Sequence, residues 1–292
     1  MHYSCPYCRG VLNSPRMSCA GCAREFPSVQ IGATKVIDFI SATRPLGACY
    51  CPPDQRQSDG RCEIHLDRLR APERAARPRH AKTEVLAAYK TWKHKLVLDV
   101  GCREGPIGHI LAEQNHVIGI DMCPYAMLQA TPNALDKGYR ELWIADAASI
   151  PLADGQADLV LANDILEHIV TPETLVAEFL RVLKPGGELN ITVPNLVSYG
   201  NRLSILFGSG VGIEPHLILK GRSMVRPIAG VRYPDQHKHL RFFTLKSICR
   251  MLEQADFEII EGRGFDPVLS RLPLADRILR NLCSLVVVRA RK

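Results

Sequence analysis

The sequence predicts an α/β fold whose core is a doubly wound, mostly parallel sheet of seven strands, preceded by a small cysteine-containing module. Two observations carry this prediction. Between residues 96 and 193, short apolar runs alternate with segments of helical apolar spacing, and two close cysteine pairs stand within the first 22 residues. Apolar strands that alternate with helices are typical of a parallel sheet that is covered on both faces. The length of 292 residues is enough for about two domains.

Each strand is predicted from an apolar run. Between residues 96 and 193 there are five such runs, at residues 96–100, 117–120, 142–145, 159–162 and 189–193. Helical spacing predicts helices from residue 83, at 107–112 and at 172–183, and the last of these ends at the Lys-Pro-Gly-Gly stretch 184–187. A helix at 244–255 and two closing strands at 257–261 and 285–289 complete the pattern.

Composition divides the chain into segments. Residues 1–40 contain the cysteine pairs, and residues 83–292 contain the α/β pattern. The composition of residues 41–82 predicts a basic linker between them. We interpret the irregular, glycine-containing residues 196–240 as an inserted lid or substrate segment. No apolar run approaches the roughly 18 residues of a membrane-spanning helix, and the first residues lack the apolar core of a signal peptide. We therefore expect a cytoplasmic protein without an integral membrane segment.

The net charge of +7 is unevenly distributed along the chain. Residues 96–195 contain 14 acidic and 5 basic residues, whereas residues 41–95 contain 12 basic and 6 acidic residues. This distribution indicates a cationic ligand at the acidic centre and an anionic partner near the basic segments. An uneven solvated surface is the alternative explanation for the basic part.

The N-terminal cysteines have the spacing of a metal site. Cys5 and Cys8 form one Cys-x2-Cys pair, and Cys19 and Cys22 form a second pair after a ten-residue spacer. Each pair can place two thiolates on one turn, and two such turns complete a tetrahedron around zinc. Because the protein supplies all four ligands, the sequence predicts a structural Zn²⁺ ion in a zinc ribbon at residues 1–40.

A second group of thiols lies in the basic linker. It consists of Cys49, Cys51, Cys62 and His65, whose spacing is less suited to a metal. Free thiols are the simpler interpretation of this group.

Acidic residues follow three of the predicted strands. Asp99 precedes a glycine-containing turn, Asp121 ends the second strand and Asp146 follows the third. Such turns let the backbone approach a ligand at the carboxyl ends of parallel strands. A carboxylate at Asp99 suits an ammonium group, one at Asp121 suits ribose hydroxyls, and one at Asp146 suits an adenine amine. A positively charged ligand that carries all three groups fits the acidic centre better than a dinucleotide does.

At this point the sequence resembles a known family, the class I S-adenosylmethionine-dependent methyltransferases of the methyltransferase type 11 group, which includes ubiquinone and menaquinone biosynthesis enzymes. The segments that carry the resemblance cover residues 96–195 in order: VLDVGCREG, VIGIDMCPYAM, ADAASIPLADGQADLVLANDILEHI and EFLRVLKPGGELNITVPN. The resemblance implies S-adenosylmethionine as cofactor and a Rossmann-like methyltransferase fold.

The resemblance also implies roles for individual residues. It places Gly101, Cys102 and Gly105 beside the methionine part, Asp121 and Met122 at the ribose and adenine, Asp146 and Ala147 beside the adenine, and Asn163 on the sulfonium side. We expect the side chains of Cys102, Met122 and Cys123 to serve ordinary packing. The chain departs from the family pattern at Arg103, where the family has glycine, and this residue either points outward or weakens cofactor binding.

Methyl transfer from a sulfonium needs a general base only when the acceptor carries a proton of high pKa. His168, after the fourth strand, is the candidate base, and fixing a helix start is its alternative role. His237, His239 and Arg241 form a second cluster, for which anion binding or loop structure is the simpler interpretation.

Three functions are consistent with these observations. The first is methyl transfer to a small-molecule or lipid-like acceptor, with residues 203–207 and the following glycines as a lid. The second is methyl transfer to RNA, held by the basic linker and by the zinc module, which resembles the ribbon of some ribosomal-RNA guanine methyltransferases. The third is a non-catalytic cofactor-binding scaffold, which the departure at Arg103 permits.

Overall fold

The computed structural model of the protein describes residues 2–13, 17–31, 34–40, 86–102, 108–122, 127, 138–207, 239–266, 279 and 281–292. The chain divides into two compact units, one of Met1–Leu161, Ala177–Glu188 and Lys292, and another of Ala162–Val176 and Leu189–Arg291. The predicted linker 41–82 and residues 208–238 of the predicted lid lie outside the described residues, as do Arg103, Gly105 and Cys123.

Eleven strands and four α-helices are present in the described residues. The strands are β1 Leu12–Asn13, β2 Ser18–Cys19, β3 Ser28–Ile31, β4 Thr34–Asp38, β5 Leu96–Val100, β6 His116–Asp121, β7 Glu141–Ile144, β8 Ala157–Asn163, β9 Leu183–Pro194, β10 Glu258–Phe265 and β11 Leu285–Arg291. The helices are α1 His109–Ala112, α2 Pro172–Val182, α3 Tyr199–Leu206 and α4 Leu245–Gln254. None of the described helices is long and apolar enough to cross a bilayer.

The first unit is built on a mostly parallel sheet. Its strand order is β9-β8-β5-β6-β7-β4-β3. Only the first residues of β8 and β9 belong to this unit. The pairs β5/β6, β6/β7 and β7/β4 are parallel. Apart from Leu96, the valine, leucine and isoleucine side chains of β5, β6 and β7 are almost fully buried, which explains why these strands have mostly apolar sequences.

The last two strands in this order come from the cysteine-containing segment. Strand β4 pairs in parallel with β7, so that Asp38 lies opposite Ile144, and β3 pairs antiparallel with β4. The sequence did not predict these strands. They extend the sheet of the first unit beyond β7, the last predicted strand in this order.

The second unit contains the C-terminal strands, in the order β10-β11-β9-β8. Strands β10 and β11 are antiparallel, with Phe265 opposite Leu285. Helix α4 begins at a capping box, in which the Thr244 side chain accepts from the Ser247 N–H and the Ser247 hydroxyl accepts from the Thr244 N–H. This box satisfies two N–H groups at the helix start, and the helix matches the prediction to within one residue at each end.

Two predicted elements differ from the structure. Strand β9 begins directly after α2, at Leu183, whereas the sequence predicted a break there and a strand only from residue 189. Gly186 has φ of +76° and bends this part of the chain. The helix predicted from residue 83 is, in its described part, only the 3₁₀ turn Ala87–Tyr89. The Tyr89 side chain is fully buried and packs edge-on against Trp92, so tertiary packing outweighs helical propensity there.

Candidate functional site

The carboxylate of Asp99 is held inside the protein at the end of β5. It is 2% exposed, and its Oδ2 accepts hydrogen bonds from the Tyr139 hydroxyl at 2.5 Å and from the Gly108 N–H at 3.2 Å. Burial, together with the neighbouring charge of Asp99, raises the pKa of Tyr139 well above its usual value, so the phenol stays a hydrogen-bond donor. The bond spans 40 residues, and no sequence pattern indicated it.

The turn after β5 has the backbone geometry that a glycine allows. Gly101 has φ of +71°, and the N–H groups of Gly101 and Cys102 both donate to the Ile120 carbonyl, at 2.8 and 3.1 Å. The Cys102 thiol is buried, which raises its pKa well above the usual value, and it lies 3.7 Å from the Met127 sulfur. The packing role expected for the Cys102 side chain agrees with this burial.

Gly119 makes room for this arrangement from the neighbouring strand. A Cβ at this position would lie 2.8 Å from both the Cys102 sulfur and Leu142 Cδ2, inside the closest normal contact. We expect Gly119→Ala to lower the free energy of unfolding by about 1–3 kcal/mol, because the core cannot accept the added methyl group. Urea unfolding checks this, with Gly200→Ala as the control, since nothing lies within 4 Å of a Cβ on Gly200. Equal stability of the two variants would contradict the prediction.

The ends of β6 and β7 bring two of the predicted carboxylates to the same edge of the sheet. Asp121 pairs with Ile144, and the Asp121 carbonyl accepts from the Ala145 N–H at 3.1 Å. Asp146 follows as an exposed residue, and its Oδ1 accepts from the Ala148 N–H at 2.8 Å. Parallel pairing therefore aligns the two strand ends, as the sequence predicted for ligand binding at this edge.

A pocket of about 200 Å³ opens beside these strand ends. It is lined by Pro6, Tyr7, Phe39, Ile40, Met122, Ala145, Asp146 and Ser149. Met122 is 56% exposed, so the packing role expected for its side chain is wrong, because the residue lies past the end of β6 and faces the pocket instead of the core. The described part of the lining is mostly apolar and includes the Asp146 carboxylate, which suits the flat ring and exocyclic amine of adenine.

The four N-terminal cysteines converge. Their sulfur atoms all lie within 4.8 Å of one another, with 3.7 Å between Cys5 and Cys22 and 3.4 Å between Cys8 and Cys19. A tetrahedral zinc with bonds of about 2.3 Å separates its sulfur ligands by about 3.8 Å. The donor set therefore fits zinc in its chemistry and approximately in its spacing.

The two cysteine turns have the same backbone pattern. The Arg9 N–H donates to the Cys5 carbonyl at 2.8 Å and the Ala23 N–H donates to the Cys19 carbonyl at 2.9 Å; both donors have positive φ. Although burial opposes it, backbone N–H bonds to the Cys19 sulfur lower the pKa of this thiol to about 7. Although the Gly10 N–H lowers it, the neighbouring cysteine side chains raise the pKa of the Cys8 thiol to about 12, and burial raises the pKa of Cys5. Backbone N–H groups therefore favour the thiolate, the form that binds metal, at Cys19.

In the second unit, Asn163 ends strand β8. It is 9% exposed, and its Oδ1 accepts from the Thr192 hydroxyl at 3.3 Å, while its Nδ2 has no acceptor among the described residues. The next residue, Asp164, has φ of +52°, a strained conformation for a residue other than glycine. Strained residues at strand ends are typical of binding sites.

His168 belongs to a compact cluster in this unit. The Glu167 carboxylate is 2% exposed, and its Oε1 lies 3.9 Å from His168 Nε2 and 4.0 Å from His239 Nε2. The two imidazoles meet edge-to-face with centroids 4.9 Å apart. The backbone fixes this arrangement, because the Glu167 carbonyl accepts from the Leu240 N–H at 2.7 Å and the Arg241 N–H at 3.1 Å.

The sequence grouped these histidines differently. It placed His239 with His237 and Arg241, but the structure places His239 against Glu167 and His168, about 70 residues earlier in the chain. Arg241 donates through its guanidinium to the Val170 carbonyl, which accounts for its role as loop structure. His237 lies outside the described residues.

Comparison with known proteins gives the class of the molecule. Residues 98–191 match the methyltransferase domain family. The ubiquinone biosynthesis O-methyltransferase of Hahella chejuensis is 30% identical over 192 residues, which cover 63% of this chain and 72% of that protein.

Two solved structures share the fold. A putative methyltransferase from Bacillus halodurans aligns with a TM-score of 0.52 at 18% identity, covering 72% of this chain and 97% of that one. A SAM-dependent methyltransferase from Methanosarcina mazei aligns at 0.51 and 21% identity, covering 70% and 95%. The chain belongs to the class I S-adenosylmethionine-dependent methyltransferases.

Proposed function

We propose that the protein transfers the methyl group of S-adenosylmethionine to a small-molecule or lipid-like acceptor, with His168 as general base. The observation that carries this proposal is the apolar pocket at the ends of β6 and β7, with Asp146 in its lining and Asp121 at the adjoining strand end. These residues suit an adenosine whose amine and ribose hydroxyls need acceptors.

The remaining cofactor contacts are proposed from the family resemblance. Asp121 and Met122 hold the ribose and adenine, and Asp146 and Ala147 border the adenine. Asp99 serves the methionine end, and its bond to Tyr139 keeps its carboxylate oriented. The family resemblance adds Gly101, Cys102 and Gly105 at the methionine part and Asn163 on the sulfonium side.

The chemistry divides between the cofactor and the chain. When bound, S-adenosylmethionine supplies a methyl group on a sulfonium, which is already a good leaving group. The chain then has to position the acceptor and, for a hydroxyl acceptor, to remove its proton. His168 takes that proton, and the carboxylate of Glu167, 3.9 Å from Nε2, stabilises the imidazolium that results.

An apolar acceptor is supported by helix α3. Leu203, Ile205 and Leu206 of this helix and Phe207, which follows it, are between 46% and 75% exposed, and neighbouring exposed apolar side chains are typical of a binding surface. This segment corresponds to the start of the lid that the sequence predicted.

Zinc belongs to the same proposal as a structural ion. Cys5, Cys8, Cys19 and Cys22 supply all four ligands, so the centre has no open position for substrate. We propose residues 1–40 as the zinc-binding segment, whose strands β3 and β4 also join the sheet, 41–82 as the linker and 83–292 as the rest of the methyltransferase domain.

The two alternatives are weaker. RNA-directed methylation depends on residues 41–82, which lie outside the described residues, and thus gains no support from the structure. Membership of the methyltransferase family argues against a non-catalytic scaffold.

Cofactor binding is tested by calorimetry with S-adenosylhomocysteine on the zinc-loaded chain. We expect one molecule to bind, and we expect Asp121→Ala to weaken its affinity by about tenfold or more, because a hydrogen bond to a charged group contributes about 1.5–3 kcal/mol. Asp154→Ala is the control, since this carboxylate is 80% exposed and pairs with Arg181 away from the strand ends. Unchanged affinity in Asp121→Ala would contradict the assigned ribose contact, and no binding to the wild-type chain would contradict the proposed function.

The acceptor is then found by incubating cell extracts with isotopically labelled S-adenosylmethionine and analysing them by mass spectrometry. Label in an apolar metabolite supports the proposal. Label in RNA alone would favour the RNA-directed alternative.

A further inference from the structure

The pocket at the strand ends has two walls of different origin. Met122, Ala145, Asp146 and Ser149 follow the ends of β6 and β7, where the proposed function places the cofactor. The other four residues, Pro6, Tyr7, Phe39 and Ile40, belong to the cysteine-containing segment. Four of the eight described lining residues therefore come from a segment outside the strands that lie within residues 96–291.

The first cysteine turn carries one part of this second wall. Pro6 and Tyr7 are the two residues between Cys5 and Cys8, so the metal ligands bracket them on both sides. The turn is tied to the sheet, because the Ser149 hydroxyl donates to the Pro6 carbonyl at 2.8 Å. A metal that holds both cysteines fixes the backbone of this wall.

The Tyr7 ring is itself held in place. It stacks on Phe26 with an interplanar angle of 8°, the Arg24 guanidinium lies 3.9 Å from its centroid, and its hydroxyl donates to the Ile40 carbonyl at 2.8 Å. The ring joins the cysteine turn to the segment after β4. An aromatic side chain positioned in this way is a fixed part of the pocket wall.

Strand β4 supplies the other part of the wall. Its parallel pairing places Asp38 opposite Ile144, and the Phe39 N–H donates to the Ile144 carbonyl at 2.9 Å. Phe39 and Ile40 consequently leave the sheet at the same edge as Ala145 and Asp146.

The size of the pocket indicates which part of the cofactor it takes. At about 200 Å³ it is smaller than the roughly 300–1,000 Å³ of sites that bury a whole drug-sized ligand. One heterocycle fits, and the apolar lining with Asp146 suits adenine better than it suits the charged amino-acid end.

We infer that the metal-binding turn is a wall of the adenine pocket, so that metal binding and cofactor binding stabilise each other. This inference rests on the proposed function. The coupling is reciprocal: whatever factor the bound metal adds to cofactor affinity, the cofactor adds to metal affinity.

Calorimetry on zinc-loaded variants tests the wall with two probes, S-adenosylhomocysteine and 5′-methylthioadenosine, which lacks the amino-acid end. We expect Tyr7→Ala and Ile40→Ala to weaken both probes by a similar factor, about tenfold, which corresponds to about 1.4 kcal/mol. Tyr7→Phe keeps the ring and should stay within about threefold of wild type. Val11→Ala is the control, because Val11 is 63% exposed in the same module and does not line the pocket.

Zinc release gives a readout that does not depend on activity. S-adenosylhomocysteine should slow the transfer of zinc to a chromogenic chelator in the wild type and in Val11→Ala, and should do so much less in Tyr7→Ala. Tyr7 lies between two metal ligands, so its replacement can also lower zinc affinity directly. Ile40→Ala leaves the cysteine turn intact, and the same loss of cofactor affinity in this variant excludes that explanation. Wild-type affinity in both zinc-loaded variants, with no effect of the probe on zinc transfer, would overturn the inference. A wild-type chain that binds neither probe would overturn the proposed function as well.

Discussion

Replacing Cys5 or Cys22 with serine is expected to release zinc and to unfold residues 2–26. This part of the chain has few buried apolar side chains, chiefly Leu12, Met17 and Phe26, which is too small a core to fold alone. A structural zinc contributes an apparent 10–16 kcal/mol in small zinc modules, on the order of a whole domain's stability, so loss of one ligand has a large effect. Metal analysis should fall from about one zinc per chain to near zero.

The unfolding should stop before β4. Val36, Ile37 and Phe39 are almost fully buried, and β4 is hydrogen-bonded along β7, so these residues belong to the sheet and do not depend on the metal. Hydrogen exchange measured by mass spectrometry should therefore show lost protection in residues 2–26 and retained protection in residues 34–39.

A cysteine outside the cluster provides the control. Cys249→Ser, in helix α4, should keep both the zinc content and the protection of residues 2–26, since this thiol lies far along the chain from the four ligands. Zinc content unchanged in both Cys5→Ser and Cys22→Ser would contradict a four-cysteine centre.

Strands β5, β6, β7 and β8 were predictable because their apolar pattern is local. The predicted and observed bounds of β5, β6, β7 and β8 differ by at most two residues at either end. Each is an apolar run buried on both faces, and burial of this kind leaves its pattern in consecutive residues. The acidic residues at the strand ends were predictable for the same reason.

The features that sequence reasoning missed all depend on contacts between distant residues. Strands β3 and β4 contain polar residues such as Gln30 and Lys35, and β4 pairs with β7 about 100 residues later. The bond from Tyr139 to Asp99 and the contact of His239 with Glu167 are of the same kind. A single sequence shows which residues are apolar or charged, but the pairing of remote segments is set by topology.

Removal of the imidazole at position 168 is expected to reduce turnover by more than tenfold, and by as much as about 10²–10⁴ for a hydroxyl acceptor, the usual contribution of a general base. His168→Ala should leave the affinity for S-adenosylhomocysteine unchanged, because His168 is assigned to the acceptor proton and not to the cofactor. Steady-state kinetics with the acceptor identified by isotope labelling should therefore show the loss in kcat, with little change in the cofactor KM.

Two further measurements separate a base from a residue that only fixes the 3₁₀ turn Leu166–His168. Added imidazole should restore part of the activity of His168→Ala, because a missing proton acceptor can be replaced from solution whereas a distorted turn cannot. His116→Ala is the control and should keep full turnover, because it removes a half-exposed histidine at the start of β6, the end opposite to Asp121. A fall in turnover of less than tenfold in His168→Ala would exclude His168 as the base. The same assay on His239→Ala would then decide whether the other imidazole beside Glu167 takes the proton. The two Nε2 atoms lie about equally far from that carboxylate, at 3.9 and 4.0 Å.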